Sequence, residues 1–258
     1  GENQDYGLDN ANDLILSNDG GFIITGQYHA QHPDILILEI NNQGNLENKY
    51  TIATASPSQR VIESGKSILT FNDNYIVLGS ISQSSANGPS NIWLSEYDVN
   101  LNDVGDTLWS KTWNLNTYDV PEKLIQKMDG SFAFAGYSLN NLGEIVSSWI
   151  INTDNTGNEL SSIILSGNYF IYDFFENLDG NYIVAGKKLI SNSFQGWISC
   201  LDLQGNQIWE STYGDEDNAS FKSVNPTTDK GYILTGESQL SGTTNILHVK
   251  TDPHGNID

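Results

Sequence analysis

The feature that most constrains this chain is a fivefold internal repeat. Five segments share one pattern, an aromatic or apolar run that closes on glycine, and the closing glycines lie 53, 57, 50 and 50 residues apart. Self-similarity at such a period indicates a repeat architecture, in which each unit buries its apolar face against the next. The segments are Gly21–Gly26, Asn74–Gly79, Ser131–Gly136, Asn181–Gly186 and Gly231–Gly236.

Each repeat has the same four parts, and each part predicts a short β-strand. An Asp-centred turn such as Asp19-Gly20 joins strands one and two as a two-residue hairpin. Strand three is apolar and ends at an Asn or Asp. In four repeats this residue begins a turn that ends in Gly-Asn. Strand four then alternates between aromatic or apolar residues and polar ones. No segment keeps a helical period. We therefore predict an all-β fold, a five-bladed β-propeller with four antiparallel strands per blade and a single domain over residues 1–258.

The two ends of the chain predict how the ring closes. Repeat five stops at Asp258 before its fourth strand, while Tyr6-Gly7 matches Tyr213-Gly214 at the end of a fourth strand. We expect the N-terminal strand to close the last blade by pairing around Leu247 to Lys250, because such pairing leaves no open sheet edge. The alternative is a piece of a longer array.

The full repeat pattern resembles a known family. Its fullest copy runs from Asp179-Gly-Asn-Tyr-Ile-Val-Ala-Gly186 through Trp197 to Trp209-Glu-Ser-Thr-Tyr-Gly214. This pattern resembles a propeller repeat common in secreted bacterial and archaeal surface proteins, and the resemblance covers essentially the whole chain. It implies a propeller fold and a place outside the cell or on its surface, with any signal or lipid anchor lying outside this chain. It implies little about activity.

Charge and cysteine content exclude several classes of partner and site. The net charge is −21 and Arg60 is the single arginine, so we predict no nucleic acid partner, which would need a cationic surface. No apolar run reaches the roughly 18 residues of a membrane helix, and we predict no membrane insertion. Cys200 stands alone, which excludes an intrachain disulfide, and its apolar surroundings predict a buried side chain.

Recurring Trp and Asp residues have structural interpretations. Trp93, Trp149 and Trp197 share one repeat position with leucines, which indicates packing rather than an aromatic platform for sugar. The turn Asp residues fit turn geometry better than calcium binding. His29 and His32, followed by Asp34, have a metal-like spacing, yet we interpret them as part of a solvated loop. We predict no metal and no cofactor.

One polar position on the first strands predicts the lining of a central channel. Six residues before each Asp turn lies a polar side chain among apolar neighbours. Asp13 and Asp173 have the residue type of glycosidase carboxylates, but Lys123 on the same ring is expected to keep both ionised. The predicted channel-lining residues are Asp13, Ser67, Lys123, Asp173 and Ser223.

The function predicted from these observations is non-catalytic. The segments between strands two and three vary most, and variation on a constant scaffold is typical of binding surfaces. We predict a monomeric extracellular recognition or scaffold propeller that binds a glycan or an extracellular protein. The alternative is a secreted glycoside hydrolase that uses the channel carboxylates. The candidate ligand contacts are Tyr28, His29, His32, Tyr137 and Phe194.

Overall fold

The computed structural model describes residues 9–17, 19–29, 33–53, 61–83, 89–98, 107–214, 218–240 and 242–257. All the secondary-structure elements within these ranges are β-strands, which confirms the all-β prediction. The same ranges contain no helix with the length and apolar character needed to cross a membrane. The chain forms two compact units, which are described one at a time.

The first unit comprises Gly1–Leu124 together with Asp154–Asn158. It contains a sheet of order β1-β2-β3-β4 and a second run of antiparallel neighbours, β5-β6-β7-β8. The start of a further strand, β9, forms a parallel bridge to β7 between Tyr118 and Ser90. The strands are β1 (Asn10–Leu16), β2 (Phe22–His29), β3 (Pro33–Ile40), β4 (Leu46–Ile52), β5 (Val61–Phe71), β6 (Asn74–Gln83), β7 (Ser90–Asp98), β8 (Thr107–Trp113) and β9 (Tyr118–Gln126).

The second unit comprises Ile125–Thr153 and Glu159–Asp258. Its strands are antiparallel neighbours in the orders β10-β11-β12, β13-β14-β15-β16 and β17-β18-β19. They are β10 (Phe132–Leu139), β11 (Ile145–Thr153), β12 (Glu159–Ser166), β13 (Tyr169–Glu176), β14 (Tyr182–Ile190), β15 (Ser193–Leu201), β16 (Gln207–Tyr213), β17 (Asn218–Pro226), β18 (Tyr232–Leu240) and β19 (Thr243–Thr251). The N-terminal strand predicted to close the last repeat lies outside the described residues.

Burial is greatest in the third strands of the three middle repeats, whereas the third strand of the last repeat, β19, is mostly exposed. The third strands β7, β11 and β15 are almost continuously buried, as expected for strands covered on both faces. The fourth strand β12 is mostly exposed. Trp93, Trp149 and Trp197 are at most 3% exposed, which confirms the packing prediction. Cys200 is also buried as predicted, and its desolvation raises the pKa of the thiol to about 11.

A β-bulge in the first strand accounts for the repeated glycine. The register of β13 against β14 shifts between Ile171 and Asp173. A Cβ on Gly186 in β14 would lie 1.7 Å from the Phe170 carbonyl oxygen, a distance that no side chain tolerates. The closing glycines of the repeats lie inside strands that continue beyond them. Their role is therefore to let two backbones approach closely, and not to end a strand. The same bulge and close approach occur at Gly26 and Gly236, where the Cβ would lie 1.8 Å and 1.9 Å from the nearest carbonyl oxygen.

The turns between strands one and two differ from the prediction. In β1–β2 the turn spans five residues, because Ser17 N donates to Gly21 O and Gly20 adopts a φ of 84°. The two-residue prediction is wrong there and in the equivalent turns at 127–131, 177–181 and 227–231. It is right between β5 and β6, where Asn72 and Asp73 both have positive φ.

An Asx turn recurs throughout the fold and confirms that its carboxylates serve turn geometry. In each case the side-chain oxygen accepts the backbone N–H groups two and four residues later. The pKa of Asp154 is lowered because its carboxylate accepts from the Asn158 side chain and from nearby backbone groups. The turns begin at Asn41, Asn140, Asp154, Asn177, Asp202 and Asp252.

Candidate functional site

In the first unit, the Asp13 carboxylate links two neighbouring first strands. Its Oδ2 accepts Ser67 Oγ at 2.6 Å and the backbone N–H of Ile68 at 3.1 Å. Its Oδ1 accepts the N–H of Leu14, and Lys123 Nζ lies 3.5 Å from Oδ2. Both oxygens are therefore occupied by donors. This arrangement fixes β1 against β5.

In the second unit, Asp173 repeats this arrangement. Its Oδ1 accepts the N–H of Phe174 and its Oδ2 accepts the N–H of Val224, each at 2.9 Å. Val224 stands in β17 where Ile68 stands in β5, one residue after the polar repeat position. We conclude that a carboxylate at this position fastens one first strand to the next, in both units.

The five predicted channel residues therefore have distinct surroundings. Asp13, Ser67 and Lys123 meet in the first unit, where Ser67 is fully buried beneath the Asp13 carboxylate and does not face water. Asp173 and Ser223 belong to the second unit, where Ser223 Oγ accepts the amide of Asn225. A channel shared by all five residues would join the two units, and it stays a prediction.

The predicted ligand contacts of the first unit lie at the end of β2. Lys49 Nζ lies 3.7 Å from the centre of the Tyr28 ring, and the backbone N–H of His29 donates to Asp9. The Nδ1 of His29 is buried without a hydrogen-bond partner among the described residues. His32 lies outside those residues. The described ranges contain no group of three His, Cys, Asp or Glu side chains arranged to hold a metal ion.

The predicted contacts of the second unit come together. Tyr137 and Phe194 both pack against Phe170, with ring centroids 4.9 Å and 5.6 Å apart and edge-to-face geometry. Tyr172, the bulged residue of β13, contacts the same Phe170 ring. We call Tyr137, Phe170, Tyr172 and Phe194 the aromatic cluster. It gathers side chains from β10, β13 and β15 at one end of their strands.

Two lysines lie on the aromatic cluster. Lys187 Nζ is 4.2 Å from the centre of the Phe194 ring and 4.5 Å from that of Phe170. Lys222 Nζ is 4.0 Å from the centre of the Tyr172 ring and 3.4 Å from Glu237 Oε1. Cations over aromatic faces are stabilised by the ring quadrupole. The result is an acidic, a basic and an aromatic group side by side.

A cleft with a volume of about 120 Å³ opens beside these groups. It lies where β14 and β18 end and where β15 and β17 begin. One wall is the Phe194 ring, and apart from Ala219 the other lining residues are polar. Aromatic faces with a few convergent polar groups are typical of small-molecule sites. The cleft is lined by Lys187, Phe194, Asn218, Ala219, Ser220, Glu237 and Gln239.

Sequence reasoning missed most of this site. It singled out Tyr137 and Phe194 but not Lys187, Lys222 or Glu237. One signal was available, since the chain has only 11 Lys and Arg residues and two of them, Lys187 and Lys188, are adjacent in a segment already recognised as variable.

Comparison with known proteins gives matches to solved structures only. No family model matches the chain, and no curated protein matches it. A protein of unknown function from Bacteroides caccae has a TM-score of 0.56 at 12% identity, covering 96% of this chain and 80% of that chain. An endo-arabinase from Bacteroides thetaiotaomicron has a TM-score of 0.55 at 8% identity, covering 93% of both chains. An exo-β-1,3-galactanase from Phanerochaete chrysosporium has a TM-score of 0.53 at 13% identity, covering 96% of this chain and 62% of that chain.

At these identities the likeness shows the fold, a β-propeller. The enzymes among the neighbours nevertheless contradict the prediction of a non-catalytic recognition or scaffold module and favour its alternative, a glycoside hydrolase. The prediction was wrong because it read function from regular repeat spacing and missing motifs. Regular spacing reflects strand packing, whereas glycoside hydrolysis needs only two suitably placed carboxyl groups, which leave no local motif.

Proposed function

We propose that this chain is a glycoside hydrolase whose sugar-binding site is the cleft of the second unit. The observation that carries the proposal is the placing of a carboxylate, Glu237, in a cleft that also presents an aromatic face and several amide and hydroxyl groups. Structural neighbours that are named as an arabinase and a galactanase support a polysaccharide as the substrate.

The cleft suits a sugar ring for a simple physical reason. The C–H face of a pyranose or furanose is apolar and packs on an aromatic ring such as Phe194, while its hydroxyl groups need hydrogen bonds at the edge. Asn218, Ser220 and Gln239 provide both donors and acceptors at that edge. Sites of this kind discriminate well, because an unmatched polar group is costly to bury.

Glu237 is the carboxylate that we assign to the chemistry. In glycoside hydrolases one carboxyl group protonates the leaving oxygen, and a second either activates water or attacks the anomeric carbon. The Glu237 side chain is half exposed and lines the cleft, where its Oε1 accepts from Ser220 Oγ at 3.4 Å. In Asp13 and Asp173, by contrast, both oxygens accept backbone N–H groups. Asp173, which belongs to the same unit, remains the first-strand carboxylate to test as its counterpart.

The finer architecture belongs to the same proposal. We propose five blades, because the repeat occurs five times, and closure of the ring by residues 4–7 beside β19. The expected location is outside the cell, where polysaccharides are encountered, and the expected state is a monomer with a glycan as its partner. Deleting residues 1–7 should lower the melting temperature, and a deletion without effect would contradict the closure.

The test of function is release of reducing sugar from a polysaccharide panel that includes arabinan and β-1,3-galactan. We expect the native protein to release sugar and Glu237→Gln to reduce the rate by about 100-fold or more, the size expected for loss of an acid–base group. The melting temperature of Glu237→Gln should be unchanged. Absence of release from the whole panel by the native protein would overturn the proposal.

Two kinds of variant make this test specific. Glu144→Gln is the matched control, because Glu144 is exposed and a glutamine oxygen can still accept from Asn140. It should keep full activity. Asp13→Asn and Asp173→Asn should lower stability through the lost strand contacts, and their rates are therefore compared only below their melting temperatures. Full activity in Glu237→Gln together with its loss in Asp173→Asn would move the chemistry to the first strands.

A further inference from the structure

We propose that the cleft accepts an anionic sugar, one that carries a carboxylate or a sulfate ester, with Lys187 as the residue that selects it. This inference rests on the proposed function and names its substrate class. The argument depends on a difference between Lys187 and its neighbouring cations.

Lys187 is the cleft lysine without a carboxylate partner. The adjacent Lys188 pairs with Glu210 at 2.7 Å, and Lys222 pairs with Glu237 at 3.4 Å. The Lys187 ammonium instead lies over the Phe170 and Phe194 rings, and no described carboxylate forms an ion pair with it. Lys66, Lys111 and Lys230 also appear in no ion pair among the described residues, but Lys187 is the one of these four that lines the cleft.

The surroundings of Lys187 disfavour its charge in the free protein. Burial, and then the nearby ammonium of Lys222, lower the pKa of Lys187, while Glu237 acts in the opposite sense. A bound anion would offset both unfavourable effects, since it supplies the missing opposite charge where water is partly excluded. Glu237, the carboxylate that lines the cleft, already pairs with Lys222 at 3.4 Å, so the ammonium of Lys187 is the charge beside the cleft that a bound anion would pair with.

The overall charge of the protein does not prevent such binding. Charges separated by more than about 8 Å are largely screened at physiological salt, so most of the acidic surface contributes little in the cleft. The local groups decide the affinity. Phe194 provides a face for the sugar ring, Lys187 the countercharge, and Asn218 and Gln239 the polar edge. An inorganic anion would use only one of these three contributions, which is why we infer an acidic sugar.

The test is calorimetric titration with three oligosaccharides of equal length. These are an oligogalacturonide, a sulfated galacto-oligosaccharide and a neutral galacto-oligosaccharide. We expect at least one acidic ligand to bind ten times more tightly than the neutral ligand. Whichever acidic ligand binds more tightly identifies carboxylate or sulfate ester as the recognised group. Equal affinity for all three would overturn the inference.

Variants separate the role of Lys187 from general electrostatics. Lys187→Met removes the charge with little change in length, and Lys111→Met makes the same change of net charge in the first unit. We expect Lys187→Met to weaken acidic-ligand binding at least tenfold without altering the neutral ligand, and Lys111→Met to change neither. Unchanged acidic binding in Lys187→Met would contradict the proposal.

This experiment does not depend on catalysis. Acidic binding that requires Lys187, in a protein that hydrolyses nothing, would leave the inference intact and remove the proposed function. Hydrolysis of a neutral polysaccharide, together with unchanged ligand affinities in Lys187→Met, would support the proposed function and remove the inference.

Discussion

The two ends of the strands in the second unit are built on different principles. At one end, which we call the turn end, the turns at 177–181, 202–206, 227–231 and 252–256 repeat the same hydrogen bonds. At the other, the cleft end, β14 and β18 finish in side chains that no other repeat shares, among them Lys187 and Glu237. The turn end satisfies its polar groups internally, and the cleft end leaves a cation without a carboxylate partner.

This difference separates what stability needs from what recognition needs. The turns require one backbone geometry, but they accept either a charged or a neutral side chain at their first position. Asn and Asp make the same backbone hydrogen bonds there. A cleft that binds a ligand should tolerate less change of charge, since its charged groups would contact that ligand. The variants that follow test this contrast, from the largest effect on folding to the smallest.

Trp197→Ala should have the largest effect, because the core between the two ends supports both. The indole is 1% exposed, its Nε1 donates to Glu210 at 3.0 Å, and its ring lies 4.8 Å from that of Tyr169. We expect a loss of about 3–5 kcal/mol in the free energy of unfolding, as for other large-to-small core changes. Urea denaturation measures it. A loss below about 1 kcal/mol would contradict the packing role.

Two glycines compare the ends directly. A Cβ at Gly186, on the cleft side, would meet the Phe170 carbonyl, whereas a Cβ at Gly180 in the turn meets nothing within 4 Å, and only its φ of 78° is unfavourable. We expect Gly180→Ala to cost about 1–2 kcal/mol through backbone conformation alone. Gly186→Ala should cost more, because the strands must separate. The reverse order in parallel denaturation curves would show that the bulge adapts easily.

Lys230→Gly should stabilise the protein slightly. Lys230 has a φ of 69° at the position where three equivalent turns have glycine. Relief of this conformation is worth about 1–2 kcal/mol, and the greater freedom of glycine in the unfolded chain offsets about 0.4–1 kcal/mol of it. The net gain should appear as a small rise in melting temperature. A fall would mean that the Lys230 side chain makes a contact of larger value.

Replacing turn carboxylates should have a small effect on stability at neutral pH, and that effect should fade in acid. Hydrogen bonds from Asn206 and Asn256 lower the pKa values of Asp202 and Asp252, so their contribution to stability is present above the unfolded value of about 3.9 and disappears as the pH falls through the folded value. The double variant Asp202→Asn, Asp252→Asn should be slightly less stable than the native protein at pH 7 and lose less stability below pH 4, so that the two profiles approach each other in acid. Parallel pH profiles would contradict this account.

The turn end of the molecule could be predicted from the sequence, and the cleft end could not. Asx turns, the buried position of Trp197 and the strand order within repeats follow from local patterns that occur several times. The five-residue length of the Ser17–Gly21 turn was missed, because Asp-Gly is compatible with both hairpin types. The cleft escaped because its side chains differ from repeat to repeat: Lys187 and Glu237 each follow a closing glycine, and the repeat pattern does not conserve the residue type at that position.

The bulge also limited what sequence could say about the first strands. A strict alternation assigns Asp13 and Asp173 to open water, but the extra residue in each strand turns both carboxylates toward the backbone of the next first strand. The polar pattern was recognised correctly. The role of the two carboxylates becomes clear only from the backbone N–H groups that donate to them in the structure.

The links made by Asp13 and Asp173 have a consequence for the order of events in folding. Hairpins closed by their own turns bring together residues close in the chain and form early, whereas these carboxylates reach Ile68 and Val224, 55 and 51 residues away. We expect them to be absent from the rate-limiting step. Asp173→Asn should therefore accelerate unfolding and leave the refolding rate nearly unchanged, which stopped-flow traces in urea would show. The lifetime of the folded protein, rather than its ability to fold, is then the property that these two side chains control.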